Sequence, residues 1–558
     1  MNFDPTYLPY PSTRYPVYAR HGMVATSSPQ ASAAGLAALR AGGNAVDAAV
    51  ATAAALTVVE PTANGIGSDA FALVWIEKEK RLYGLNASGW APADISIDKV
   101  RARLARTGAS GAAASPRPAN GGDTPSMPVL GWVPTMVPGA PKGWAELVSR
   151  FGALPLAQVV APAVDYARNG YPVSANLARM WRRAFEKYRK TCTGPEFDEW
   201  YRTFVPEGRA PGAGEIVRLP DHARTLELIG ASNADAFYRG ELADRIVADS
   251  AAFGGYFSKS DFEEYRAAWV EPISVNYRGY TVCEIPPNGQ GIVALMALNI
   301  LKEFRFSQRD SSETFHLQWE AMKIAFADGM AHVTDPASMR LPYADLLQPG
   351  YGALRAREID PSGQARLYSP QVPPKSGTVY LCAADGEGNM VSYIQSNYMG
   401  FGSGIVVRGT GISLQNRGAD FSLDSSHPNS LAPRKKTYHT IIPGFLLKDG
   451  EALGPFGVMG GYMQPQGHVQ VVTNMVDFGL NPQQALDAPR WQWMRGMKFS
   501  VERAFPRDIA EALAARGHEI EVSEDASPFG RGQIILKLPN GTLVGGTEGR
   551  TDSNIACW

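Results

Sequence analysis

Residues Ala45 to Glu60 read AVDAAVATAAALTVVE. This run constrains the fold more than any other part of the chain. Alanine is the best helix former, and a helix with so many small side chains packs closely onto something flat. Asp47 and the short length exclude a membrane span. A second helix precedes it in ASAAGLAALRAGG, where Gly42-Gly43 supplies the stop. A glycine-bearing loop follows, then the strand DAFALVWI, Asp69 to Ile76. Two helices leading into a strand predict helices layered on a sheet.

A helical middle follows, roughly residues 175–265, and FHLQWEAMKIAFADGMAHV is a further helix. The low-complexity stretch GASGAAASPRPANGGDTPSMP reads as a loop. After residue 377 the texture turns to strand. TVYLCAADGEGNMVSYIQS is a hairpin with DGEGN at its turn. GTGISLQN and IIPGFLLKDGEALGPFGVMGG supply further strands, and GHVQVVTNMVDFGLNPQQALDAPRW supplies two helices. Lys435 and Lys436 in PRKKTYH read as a solvated basic turn.

With 45% apolar and 19% charged residues the chain is an ordinary globular one. A net charge of -1 carries no signature of nucleic acid or of an anionic membrane as partner. The four cysteines form no CxxC pair and the eight histidines no HExxH, so neither metal nor cofactor is expected. The N-terminus lacks a cationic start followed by an apolar run, so a cytoplasmic protein is expected.

One dipeptide stands out. Gly377-Thr378 opens the hairpin after the proline-rich connector RLYSPQVPPKSG. A threonine hydroxyl is a poor nucleophile without a nearby base, and no GxSxG elbow is present to supply one. If the chain is cut before Thr378, the new α-amine is itself a base, with a pKa of roughly 7.7–8. Thr378 Oγ makes that cut by attacking the Gly377 carbonyl, where glycine tolerates a strained backbone.

The surrounding blocks make this specific. GGNAVDAAVATAAALTVVEPTANGIGSDAF, YRGYTVCEIPPNGQGIVALMALNIL, EAMKIAFADGMAHVTDP, TVYLCAADGEGNMVS, GTGISLQNRGADFS and GPFGVMGGYMQPQGHVQVV run in order over nearly the whole chain. Together they resemble the gamma-glutamyltranspeptidase family of N-terminal-nucleophile hydrolases. The resemblance implies an α+β fold, a four-layer αββα sandwich. It implies a proenzyme that cleaves itself into a large chain, 1–377, and a small chain, 378–558, interlocked in one domain. Thr378 is then nucleophile and, through its amine, base. Gly460 and Gly461 present backbone N–H groups to the oxyanion, each worth roughly 3–4 kcal/mol. Asp420 holds a substrate ammonium, Thr440 and His439 fall at the positions of two serines near the scissile carbonyl, and Ser396 falls at that of a threonine whose hydroxyl supports the new N-terminus.

The departures bear on substrate. Ser88 stands where the family has an arginine that grips the substrate carboxylate, and serine makes no bidentate clamp. Arg417, three residues before Asp420, is the expected substitute cation. Val379 follows the nucleophile in place of a threonine. Tyr398 replaces an asparagine, with Asn397 beside it. The segment between Phe421 and Pro443 is short, which implies an open cleft. The expected activity is acyl transfer from γ-glutamyl or glutaryl-type amides to water or an amine, as in a glutathione hydrolase. The alternatives are a cephalosporin acylase and, from another class, an uncleaved homologue that only binds γ-glutamyl compounds.

Overall fold

The computed structural model describes residues 14–107, 126–368 and 377–558. The low-complexity loop, up to residue 125, and the connector residues 369–376 lie outside the described residues. Seven strands form the sheet that carries Thr378: β1 Gly22–Thr26, β2 Asp69–Ile76, β3 Arg81–Ala87, β4 Ala268–Val270, β5 Gly377–Asp385, β6 Met390–Tyr398 and β7 Asn554–Cys557. Their order across the sheet is β7-β1-β5-β6-β2-β3-β4. A second seven-stranded sheet runs Val17–Ala19, Leu543–Thr547, Arg531–Lys537, Glu451–Met459, Gly444–Lys448, Tyr280–Glu284, Ile273–Tyr277.

The two sheets close on one apolar layer that includes Met23, Phe71, Trp75, Tyr380, Cys382, Phe445 and Ile535. Helices cover both outer faces. On the Thr378 sheet these include α1 (Pro29–Arg40) and α2 (Ala45–Val59). Gly291–Leu301, Ser312–His332 and Met463–Val476 cover the other. This is the αββα sandwich.

Every residue of α2 is buried, as its alanine run requires. Asn44 caps the helix by accepting from the N–H groups of Val46 at 2.9 Å and Asp47 at 3.2 Å, while Asp47 accepts from the N–H of Asn44 at 2.9 Å. Such a capping box is worth about 1 kcal/mol. Asp47 also accepts from the Ala153 N–H at 2.8 Å, so the one acidic residue of α2 ties down a neighbouring turn. Gly35 permits the close crossing of α1 and α2. A Cβ there would lie 2.3 Å from Thr52 Oγ1.

One expected strand is absent. GTGISLQN makes only isolated bridges, Val406 to Ser413 and Gly67 to Leu414. Gly409 and Gly411 hold φ of 69° and 70° and turn the chain there, so it runs as a loop beneath the site. The expected boundary at Gly377-Thr378 falls inside β5, and both sheets mix strands from either side of it.

Candidate active site

Strand β5 pairs with β1 on one side and β6 on the other. Its pairing with β6 breaks at Thr378. Gly377 faces Tyr398 and Val379 faces Gln395, so Thr378 alone stands opposite Ser396 and Asn397. A bulge of this kind re-aims a side chain. Thr378 is fully buried, and its Oγ1 lies 3.1 Å from Ser396 Oγ. Ser396 Oγ also accepts from the Tyr398 N–H at 2.8 Å. Tyr398 is held at φ 76°, a strained backbone for an aromatic residue.

From Ser396 a buried polar chain leads outward. Arg417 donates to Ser396 Oγ at 3.4 Å and to Thr440 Oγ1 at 2.7 Å. Its guanidinium lies 4.1 Å from the Tyr398 ring centre and 3.8 Å from Asp420 Oδ2. Asp420 Oδ1 accepts from Tyr398 OH at 2.7 Å and Tyr462 OH at 3.2 Å. Burial pushes the Arg417 guanidinium below its ordinary range, opposed first by Asp420. Arg417 is wholly inaccessible, and its guanidinium is held within the site by Thr440, Ser396 and Asp420. It is an internal counter-ion.

Gln290 joins this network to the glycine pair. Its amide donates to the Thr440 carbonyl at 2.6 Å and the Gly461 carbonyl at 2.8 Å. Gly460 and Gly461 have φ of 138° and 64°, values that favour glycine. Their carbonyls accept from the N–H groups of Met463 and Gln464, the first turn of the helix that follows. Among the described residues neither glycine N–H has an acceptor.

His439 is not aimed at the nucleophile. Its Nε2 lies 3.1 Å from Asp69 Oδ2, and its Nδ1 accepts from the Ile441 N–H at 3.3 Å. The Nδ1 contact puts the proton on Nε2, donated to Asp69. Burial holds the ring well below the usual histidine range, reinforced by the nearby Arg417 and Lys436 charges. Burial likewise raises Asp69 to about 6, against the pull of Arg417 and the Gly89 N–H. Asp69 heads β2 directly opposite Ser396, and its Oδ1 accepts from the N–H groups of Gly89 and Gly139.

Ser88 is buried, and its hydroxyl donates to Asn86 Oδ1 at 2.7 Å. The same Asn86 oxygen receives Lys436 Nζ at 3.3 Å. The basic-turn reading of Lys435 and Lys436 is therefore wrong. Lys435 is buried and donates to the carbonyls of Pro428 at 2.6 Å and Ser430 at 3.0 Å. Lys436 is half-buried and places its ammonium beside Ser88, with no carboxylate within 4 Å among the described residues. Burial lowers that ammonium to about 8, opposed by Asp335 and Asp69.

The structure thus brings Thr378, Ser396, Arg417, Asp420 and Thr440 into one network, joins Gly461 to it through Gln290, and sets His439 and Ser88 at its margin. Sequence reasoning missed Asp69, Gln290, Lys436 and Tyr462. The polar PPNGQG between a strand and a wholly buried helix was a signal for Gln290, and an acid at the head of an apolar strand was one for Asp69. No helix among the described residues is long and apolar enough to cross a membrane.

Comparison with known proteins places this geometry. The crystal structure of a cephalosporin acylase from Bacillus halodurans matches with a TM-score of 0.93 and 55% identity, covering 100% of this chain and 99% of that one. The glutathione hydrolase-like YwrD proenzyme of Bacillus subtilis (strain 168) is 37% identical over 538 residues, 95% of this chain and 97% of the relative. The oxamate amidohydrolase proenzyme of Klebsiella pneumoniae is 34% identical over 548 residues, 96% and 98% of the two chains. The family model described as gamma-glutamyltranspeptidase matches residues 31–558. An αββα sandwich, a buried network around one strand-opening threonine and a family match along almost the whole chain lead to one conclusion: this protein is an amidohydrolase of the gamma-glutamyltranspeptidase family.

Proposed function

We propose that the chain is a proenzyme that cuts itself between Gly377 and Thr378 and then transfers acyl groups through Thr378. The observation that carries this is the bulge at Thr378, with its hydroxyl on Ser396 Oγ and the adjoining peptide bond to Gly377. In the first step Thr378 Oγ1 attacks the Gly377 carbonyl carbon. The C–N bond breaks as the C–O bond forms, and the Oγ1 proton passes to the departing nitrogen, which becomes the free amine of Thr378. Water then opens the ester, leaving a carboxylate on Gly377 and a free amine on Thr378. The products are chains 1–377 and 378–558.

In turnover that amine takes the Oγ1 proton as Oγ1 attacks a substrate amide. The oxyanion is met by the N–H groups of Gly460 and Gly461. The leaving amine departs with the proton, and water or a second amine releases the acyl group. Because Thr378 is buried, its α-amine is desolvated, which favours the neutral form needed in a base.

The acyl group we propose is glutaryl or a close relative ending in a carboxylate. Asp420 already has a cation 3.8 Å away in Arg417 and two phenol donors, so it does not need a substrate ammonium to balance it. Lys436, beside Ser88, takes the substrate carboxylate that Arg417 is too enclosed to reach. The cephalosporin acylase named above supports this acylase reading. Small-molecule amides and the two chains of one precursor are the partners it implies.

The test is a denaturing gel with N-terminal sequencing of the small band. Purified protein gives two bands, the smaller beginning at Thr378, and hydrolyses glutaryl-4-nitroanilide. Thr378→Ala gives one folded, inactive chain. Cleavage that persists in that variant places the chemistry elsewhere.

A further inference from the structure

Two adjacent glycines are a loose mount for hydrogen-bond donors. Gly460 and Gly461 sit at φ of 138° and 64°, and a glycine backbone reaches many other values at little cost. Donors to an oxyanion act only when aimed at it in advance. The pair is held from both ends. Met459, just before it, pairs with Arg531 in the second sheet. After it, the Gly460 and Gly461 carbonyls accept from the N–H groups of Met463 at 3.2 Å and Gln464 at 3.1 Å.

The Gln290 side chain adds a third hold, from the side. Gln290 is wholly buried, and every part of its amide is engaged. Nε2 donates to the Thr440 carbonyl at 2.6 Å and the Gly461 carbonyl at 2.8 Å, while Oε1 accepts from Tyr438 OH at 3.0 Å. Two carbonyls can only accept, so these partners fix which end of the amide is nitrogen. The backbone beneath is equally fixed. The Gln290 N–H donates to the His439 carbonyl at 2.9 Å, and the His439 N–H donates to the Asn288 carbonyl at 2.9 Å. Gln290 also leads directly into the wholly buried helix α3, Gly291–Leu301, so it cannot shift without moving a core helix. A rigid side chain thus spans from Thr440, whose hydroxyl accepts from Arg417 at 2.7 Å, to the glycine pair.

We propose that Gln290 is a positioning residue of the oxyanion site. By fixing the Gly461 carbonyl it sets the direction of the glycine N–H groups relative to Thr440 and the Arg417 network. The inference rests on the acyl-transfer reading, which gives the glycine pair its role. It adds that the processed enzyme carries its oxyanion donors on the small chain and the side chain that aims them on the large one.

The experiment measures binding of 4-boronobutanoate and of glutarate by calorimetry. The boronate has boron in place of the glutaryl carbonyl carbon. Boron takes a fourth bond from Thr378 Oγ1, the α-amine takes the hydroxyl proton, and a boron-bound oxygen occupies the oxyanion position. Glutarate has the same chain and no tetrahedral centre. Gln290→Met keeps the volume and removes both donated bonds. It lowers boronate affinity about tenfold, and kcat for glutaryl-4-nitroanilide about as much, with glutarate affinity changed less than twofold. Tyr438→Phe leaves both donated bonds and frees only Oε1. It lowers boronate affinity about threefold, and it carries the test if Gln290→Met does not fold. A residue that merely supported the fold would weaken both ligands together. Losses that are equal, absent or confined to glutarate overturn the positioning role. If wild-type protein neither hydrolyses the amide nor takes up the boronate, the acyl-transfer reading fails. Hydrogen exchange across residues 459–464 then decides the rest. Faster exchange in Gln290→Met keeps the hold on the glycine pair, and unchanged exchange overturns it.

Discussion

Replacing Arg417 with methionine tests whether that residue is an internal counter-ion. Methionine keeps much of the side-chain volume and removes the charge. The guanidinium lies 3.8 Å from Asp420 Oδ2, which at an effective dielectric constant near 20 corresponds to about 4 kcal/mol of attraction. Removing one partner of a buried pair costs about 3–5 kcal/mol, because the other charge is left uncompensated. At about 2.1 cal/mol/K per residue, 558 residues give an unfolding entropy of about 1.2 kcal/mol/K. The thermal midpoint should then drop by about 3–4 °C. The measurement is best made by calorimetry in a Thr378→Ala background, where the chain stays in one piece. Adding Asp420→Asn removes the stranded charge and should restore about 2–3 kcal/mol, a coupling that a double-mutant cycle reads directly. With Thr378 intact, Arg417→Met should also slow self-cleavage at least tenfold, since Ser396 and Thr440 both lose a donor. An unchanged midpoint, or strictly additive effects of the two substitutions, would refute the counter-ion assignment.

Three further outcomes follow from the same geometry. Lys436 carries its charge below about 8 and loses it above, so KM for a glutaryl amide should climb as pH passes 8 relative to a butyryl amide of the same amine. Lys436→Arg should extend the plateau, and equal pH profiles for the two amides would remove Lys436 from the acyl site. Ser396→Ala leaves Thr378 Oγ1 without its hydroxyl partner at 3.1 Å and should slow cleavage by one to two orders of magnitude, followed on time-resolved gels, with the fold intact by circular dichroism. Gly35→Val sets a Cβ 2.3 Å from Thr52 Oγ1 and should cost about 1–3 kcal/mol through overpacking, read as a lower midpoint with no change in the site of cleavage.

The layers were legible because they rest on local chemistry. An alanine-dense helix and continuous apolar strand runs require flat partners, and the structure supplies two sheets between helices. The failed strand GTGISLQN has strand-like composition, but glycine φ values decided it, and those depend on what the loop packs against. In the site, Thr378 and the glycine pair stood out because whole sequence blocks match around them, and the structure brings Thr378 and Gly461 into one network, Gly461 through Gln290. The charge of Lys436 was misread: it looked solvated and is drawn in beside Ser88. Whether a cation meets a ligand or a neighbour depends on contacts tens to hundreds of residues away, such as Lys436 with Asn86. Spacing along the chain carries no trace of them.

The strand order β7-β1-β5-β6-β2-β3-β4 alternates segments from after, before, after and before residue 377. In the processed enzyme we propose, neither product holds a whole sheet. The precursor folds as one chain, at a rate independent of concentration. Once cut, the same structure returns from the denatured state only if two separate chains meet. Its recovery then becomes second order, and it competes with aggregation of exposed β5 and β6. Heat or denaturant that the precursor survives reversibly would inactivate the mature enzyme for good. The lifetime of the working enzyme is then set by how fast it unfolds, rather than by how stable it is.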